Sequence, residues 1–528
     1  MNSKALFRCF SVGLISFIWA VGCIEEEELS EVGNVDPNNI VDVLHTPVER
    51  QSIGNCWLYA VASWAESVNY RATGVPFDVS QSYWTYLHWF DQIVSGNIKD
   101  DAVSTGGHWS TARNIIRRYG LMAEKDFVYA DTFSEMSSRQ LQANKAIDRE
   151  LGPGGRLETP EQRQDRVLVK TVLDQVWALD VGVKETLDTV FGPDLSNTFL
   201  GTAQSEGSVI VSPREFAVAY TTARMAGDPQ LVSTHLEEAL WSWSQVTYPS
   251  SPAQRRSFQI RVQKALHEKE PVIVSWFVDF NAMEYDNTHG KRGSFNLQTL
   301  EEAGGPGGQG GHMTVFEDYE AVIPGIPNSV VETGSVARGQ WVHYEPFAIG
   351  EGETLTVDMT GTNDADLYVR KNEQPNSGQY DCRPYRSGSA ERCTVTGPAQ
   401  VHVAVNGYAS TSDYRLEFLT PTQGEVLKAG ITLDPNDPED KGKLSRALDP
   451  SAQIVFFRIK NSWGGPGRPS LPFANGPLGG PNGAVEMGYH DIYMDYLHGP
   501  IAKEDHCTPE NCPKTIVPFS YVILPPGF

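Results

Sequence analysis

The chain has 528 residues, 40% hydrophobic and 20% charged, a globular composition too long for one ordinary core, so two or three domains are expected. Its formal net charge is −24. An excess of that size repels phosphate, which argues against nucleic acid or an anionic membrane surface as the main partner.

The first segment, "MNSKALFRCFSVGLISFIWAVGC", carries Lys4 and Arg8, then an apolar run, then Ala20-Val21-Gly22 before Cys23. The run is about 15 residues, short of the ~20 of a membrane helix, and the order is that of an export signal. Its end resembles a bacterial lipobox, which implies a lipoprotein-type signal peptide over 1–23, lipid on Cys23 and a membrane anchor in the cell envelope. Plain secretion is the alternative, because Ala20 stands where Leu is more usual. Residues 24–45 are acidic and poor in aromatics, the composition of a flexible tether.

Export changes the reading of the seven cysteines. Cys9 leaves with the signal and Cys23 carries the lipid. Cys382 and Cys393 lie in a β-rich segment, and Cys507 and Cys512 flank the turn in "CTPENC". Both pairs read as local disulfides of an oxidising compartment. Cys56 is left over, either a buried inert residue or a nucleophile.

In "ERQSIGNCWLYAVASW", residues Trp57, Tyr59, Ala60, Val61, Trp64 and Val68 approximate a helical apolar stripe. Cys56 would then sit at the N-terminus of a buried helix, where the macrodipole and unpaired N–H groups favour a thiolate. Residues 131–260 read as a mostly helical stretch. In "GGPGGQGGHMTVFEDYEAV", His312 follows a glycine-rich loop and opens a strand. From 326 to 425, apolar and polar residues alternate between Gly, Asn and Ser turns, the pattern of a small antiparallel sandwich. A polar, Pro/Asp-rich return linker follows, then "IVFFRIKNSWGGPG", a strand ending at Asn461. A strand-end Asn is placed to accept the Nδ1–H of a histidine, with Trp463 shielding that bond from water.

The order Cys, His, Asn, carried by Gly54-Asn55-Cys56-Trp57, His312 and Asn461-Ser462-Trp463-Gly464, resembles the papain-like cysteine peptidases. Gly106-Gly107 resemble the glycine pair that lines the family's substrate cleft. "YGLMAEKDF" and "VQKALHEKEPVIVSWFVDFN" look closer to the bleomycin-hydrolase branch, which also carries an extra helical portion. The resemblance implies an α+β papain-like fold, a helical domain plus a β-barrel-like domain, built from residues 46–325 and 426–528. It implies Cys56 as nucleophile, His312 as base, Asn461 as its orienting partner and no cofactor or metal. The family places a Gln six residues before the Cys to form the oxyanion hole. Here Arg50 holds that position and Gln51 lies five before, so a one-residue loop deletion is expected to deliver the Gln51 amide instead. His108, His343, His402 and His490 read as ordinary satisfied histidines.

Gly334 to Leu419 resembles the bacterial pre-peptidase C-terminal domain, most clearly at Asp364-Ala365-Asp366-Leu367-Tyr368. A sandwich whose ends lie close can replace a hairpin tip without parting the strands beneath it. The insert is a binding or positioning module, with a surface or matrix ligand as its partner, or a passive spacer. Asp364 and Asp366 are too few carboxylates for a Ca²⁺ site and read as turn caps. The expected function is an exported bacterial cysteine peptidase cleaving peptide or protein substrates through a thioester, endo- or exo-acting. Two alternatives stand beside it. One is a catalytically inactive peptidase fold serving as a surface binding protein. The other is a thiol acyltransferase, a class that generally has Asp where this chain has Asn461.

Overall fold

Cys56–Thr73 is an α-helix, and its burial goes beyond a stripe, since every residue from Cys56 to Asn69 is buried. Small residues at Ala60, Ala62, Ser63 and Ala65 let neighbours approach on the faces that Trp57, Trp64 and Val68 leave. Full burial of the large side chains contributes roughly 1.5–3 kcal/mol each. The polar residues on this helix are partnered: Glu66 Oε1 accepts from the Val79 N–H at 2.8 Å and Asn69 Nδ2 donates to the Ala217 carbonyl at 2.6 Å. Gly74, at φ +66°, closes the helix with its N–H on the Tyr70 carbonyl, a left-handed cap that glycine adopts freely.

The computed structural model describes residues 43, 48–128, 133–198, 201–205, 208–223, 229–286, 291–420, 422, 424–429, 433–463, 488–503 and 515–528. The signal segment, Cys23, the tether apart from Val43, Gly464 and the Cys507–Cys512 pair lie outside the described residues. Among the described residues no helix is long and apolar enough to cross a membrane.

Helices Gln81–Val94 and Trp109–Tyr119 pack beside the Cys56 helix, the first capped by the Ser80 hydroxyl on the Tyr83 N–H. The 131–260 stretch is helical over Phe133–Leu151, Pro160–Gln164, Arg166–Val176, Val181–Phe191 and Leu236–Ser242, and its end enters the helix Pro252–His267. Short strands at Ser208–Val211, Ala217–Thr222 and Gln230–His235 lie between the fourth and fifth of these helices. Their runs "SVIV", "AVAYTT" and "QLVSTH" are rich in β-branched residues.

A nine-stranded sheet forms the second half of the molecule. Its main path runs Ser244–Thr247, Phe519–Leu524, Val272–Asp279, Gln309–Ile323, Gln453–Lys460, Tyr489–Tyr493, Lys291–Phe295, Met283–Asp286. The described strands follow an open path rather than a closed barrel. The central strands have two buried faces. Met313, Val315, Ile273 and Ile523 join the core of the helical side, while Val274, Trp276 and Phe316 join the core on the opposite face.

The insert is a separate two-sheet sandwich with its own core, including Leu355, Val357, Leu367, Val403, Leu416 and Phe418. Its first and last strands, Asn328–Ala337 and Thr411–Thr420, pair from end to end. Beneath them Ile323 pairs with Glu425, so the chain leaves and rejoins the large sheet at one point. The Cys382–Cys393 disulfide is formed. Asp364 accepts from the Gly388 N–H at 3.1 Å and Asp366 pairs with Arg383 at 2.8 Å, so both carboxylates tie down loops.

This arrangement predicts that the sandwich is dispensable for folding of the rest. Replacing residues 328–420 by a short Gly/Asn turn should leave a protein that melts cooperatively, with its midpoint shifted by no more than a few degrees. Loss of a cooperative transition in calorimetry would contradict it.

Candidate active site

Cys56 is the first residue of its helix, a position at which the backbone N–H has no intrahelical partner. Its thiol is free, buried and within hydrogen-bonding reach of the N–H groups of Met313, Trp57 and Cys56 itself. Met313 follows His312, so the mouth of the helix rests on the strand that carries the histidine.

His312 is the fourth residue of the strand Gln309–Ile323 rather than its opening residue. Cross-strand pairing sets it opposite Trp276, whose ring meets the imidazole edge-on at 5.6 Å. Trp463 stacks on the other side at 4.6 Å and 19°. The neighbouring strand Gln453–Lys460 ends one residue before Asn461, whose Oδ1 accepts from His312 Nε2 at 2.7 Å. The bonded nitrogen is therefore Nε2, which corrects the expected Nδ1. With the ring held between Trp276 and Trp463, its far edge meets the strand end. Nδ1 is then the nitrogen left for a thiol. Asn461 Oδ1 also accepts from the Ser462 N–H at 2.8 Å, which draws the amide oxygen to this side.

Gln51 is anchored to the loop that follows Asn461. Its backbone N–H donates to the Ser462 carbonyl at 2.7 Å, and its Oε1 accepts from the Ser462 hydroxyl. Nε2 donates to the Ile53 carbonyl at 3.0 Å, which uses one of the two amide N–H groups. Gln51 lines a cavity of about 460 Å³ together with Arg50, Ser52, Gly54, Phe280 and Trp463.

The glycine pair divides in two. A methyl group on Gly107 would come within 2.5 Å of the Trp57 ring, so this glycine is required by packing against the residue next to Cys56. One on Gly106 would meet only Ser104, at 3.8 Å. Trp57 Nε1 also donates to the Thr105 carbonyl at 2.9 Å, which ties this exposed strip to the cysteine loop.

Burial dominates the electrostatics. It pushes the Cys56 thiol up to about 11 and the His312 imidazole down to about 4, with the Asn461 hydrogen bond acting against the second shift. Each group taken singly is held neutral.

Sequence reasoning missed three contributors. The Met313 amide is visible only once the strand is placed. His88 contacts the Gly106 carbonyl at 3.3 Å and the Trp57 ring at 5.0 Å, and nothing in its local sequence marks it. Lys460, buried and bonded to the Ser63 hydroxyl at 3.0 Å, did leave a signal: a charge ending the apolar run "IVFFRIK" just before Asn461.

Residues 342–421 match the family described as the bacterial pre-peptidase C-terminal domain, which is present in the insert. The chain is 37% identical over 86 residues to a "Zinc metalloprotease" of Helicobacter pylori, covering 16% of this chain and 34% of the relative. It is 37% identical over 86 residues to the "Hemagglutinin/proteinase" of Vibrio cholerae, covering 16% and 14%. It is 34% identical over 131 residues to "Alkaline serine exoprotease A" of Vibrio alginolyticus, covering 24% of each. The matches thus span about a third or less of these relatives, all named as proteases, and their names point to zinc or serine chemistry rather than to cysteine. Among solved structures, "Crystal structure of pepw from lactobacillus rhamnosis hn001" covers 70% of this chain and 81% of that one, at 10% identity and a TM-score of 0.27. "Solution structure of vEP C-ter 100" covers 18% and 89%, at 31% identity and a TM-score of 0.14. TM-scores this low carry no argument about the fold.

The two glycines give opposite expectations. Gly107→Ala should destabilise the protein by roughly 1–3 kcal/mol through overpacking on Trp57. Gly106→Ala should leave the denaturation midpoint unchanged. Equal midpoints for the two variants in urea denaturation would contradict the packing role.

Proposed function

We propose that this chain is an exported bacterial cysteine peptidase of papain-like fold, akin to the bleomycin-hydrolase branch and anchored through lipid on Cys23. The observation that carries the reading is the pair His312 Nε2–Asn461 Oδ1 at 2.7 Å beneath Trp463, on the strand that receives the mouth of the Cys56 helix. Shared descent of the insert with bacterial proteases supports peptidase action in general.

In this reading Cys56 passes its proton to His312 Nδ1 and attacks the peptide carbonyl. The Cys56 N–H and the second N–H of Gln51 Nε2 hold the developing oxyanion. His312 then protonates the leaving amine, and water, activated by the same imidazole, cleaves the thioester. Asn461 steadies the imidazolium by accepting from Nε2. Proton transfer from sulfur to nitrogen replaces two neutral groups by adjacent opposite charges. Their attraction and the helix N-terminus oppose the cost of burial.

One observation favours a second reading, a silent peptidase fold that presents the sandwich to a surface ligand. Burial alone holds both Cys56 and His312 neutral.

Alkylation distinguishes the two without a known substrate. Purified protein treated with iodoacetamide from pH 4 to 9 should show fast Cys56 modification near pH 5, lost in His312→Ala, when followed by mass spectrometry. Modification that rises only toward pH 8.5 and above, in both proteins, would favour the silent fold.

A further inference from the structure

The amide of Asn461 has two ends, and a half turn about its last bond would set an N–H against the N–H of His312. The Ser462 N–H on Oδ1 favours the useful orientation from one side. On the other side, Asn461 Nδ2 is buried and has no hydrogen-bond partner among the described residues. Asn461 lines a second, small cavity of about 10 Å³, room for one water molecule. Glu49, Ala60, Ser63, Thr314 and Lys460 line it too. Lys460 can only donate, and it does so to Ser63. Thr314 Oγ1 already accepts from Trp276 Nε1 at 3.2 Å. Glu49 is the acceptor-rich member: Gln81 Nε2 occupies one lone pair of its carboxyl group, at 2.6 Å, out of about four.

We propose that Glu49 is a positioning residue for the Asn461 amide: a water in this cavity accepts from Asn461 Nδ2 and donates to the Glu49 carboxyl group, which keeps Oδ1 facing His312. The inference rests on the peptidase reading above. It adds a residue five positions before the Gly54-Asn55-Cys56 loop whose effect reaches the nucleophile only through Asn461 and His312. Protonated or ionised, the Glu49 carboxyl keeps an oxygen that accepts, so the relay does not depend on its charge. Asp78, Glu66, Glu124 and Lys460 face Glu49, and His490 faces His312; all stay in place in the variants below.

The test is the alkylation profile of Cys56 in the full chain, with the thermal midpoint recorded for each variant. Withdrawing the acceptor from His312 Nε2 makes the imidazolium less favourable. The acid edge of the reactive window, where the thiol ionises beside imidazolium, then moves up. Glu49→Leu should therefore narrow the window at its acid edge by about one pH unit, the scale of one hydrogen bond to a charged group. Glu49→Gln, which still offers an oxygen, should keep the wild-type window. Ala60→Val fills the cavity without touching Glu49 and should narrow the window as Glu49→Leu does, which keeps the test decisive if Glu49→Leu fails to fold. A lowered midpoint with an unchanged window in Glu49→Leu or Ala60→Val would overturn the relay alone. Absence of acid-side reactivity in the wild type would overturn the peptidase reading and the relay with it.

Discussion

The strand Gln309–Ile323 is paired along both edges, with Val272–Asp279 on one side and Gln453–Lys460 on the other, and that double pairing places His312, Trp276 and Asn461. The first pairing sets Trp276 opposite His312. The second, with Val315 opposite Lys460, brings Asn461 to the ring although 149 positions separate the two residues in the chain. The helical half then seats Cys56 on the next residue of the same strand, Met313. A slip of one residue in either pairing would turn His312 to the helical core and Met313 to the cleft, so the register is fixed by burial on both faces.

That same burial makes the site electrostatically demanding. A cluster of Glu49, Glu66, Asp78, Glu124 and Lys460 converges behind the Cys56 helix, in surroundings where ionised groups are costly. Glu124 is pushed up to about 7 and Glu49 and Asp78 are raised, chiefly by desolvation, while Lys460 is lowered for the same reason. The cluster favours sharing protons over holding full charges. A neutral or half-neutral floor limits the stray field beneath Cys56 and His312.

Much of this was readable along the chain, and the reasons for what was not are specific. GNCW marks the start of a helix because a buried apolar run begins at Trp57. His312 and Asn461 are marked by the strands that carry them. The sandwich is legible because period-two alternation survives in Thr354–Gly361, Glu391–Thr396 and Thr411–Thr420. The choice of Nε2 was not legible, since ring orientation follows from Trp276 and Trp463, which lie 187 positions apart on different segments. Nor were the short strands between 203 and 235. Ser208–Val211 lies between Ala203–Ser205 and Leu121–Met122, the second far upstream, and a four-residue run contains no trace of that distant partner. The shift of Gln51 could be seen, but not that its amide would be tied to Ser462.

The end-to-end pairing of the insert's outer strands bears on how the molecule assembles. Bringing Asn461 to His312 through a slack chain means closing a loop of 149 residues, and each halving of the free length saves about 0.6 kcal/mol of closure entropy. Once Asn328–Ala337 has zipped onto Thr411–Thr420, the sandwich behaves as a clasp, and only the short arms on either side remain to be ordered. The last strands of the large sheet are then recruited to a nearby partner rather than a distant one. Synthesis from the N-terminus delivers the parts in that order, with the clasp emerging before the Asn461 strand. A chain built this way holds Cys56 and His312 in an incomplete candidate site until its middle has folded, so the ordering of the insert acts as a timer on the assembly of that site.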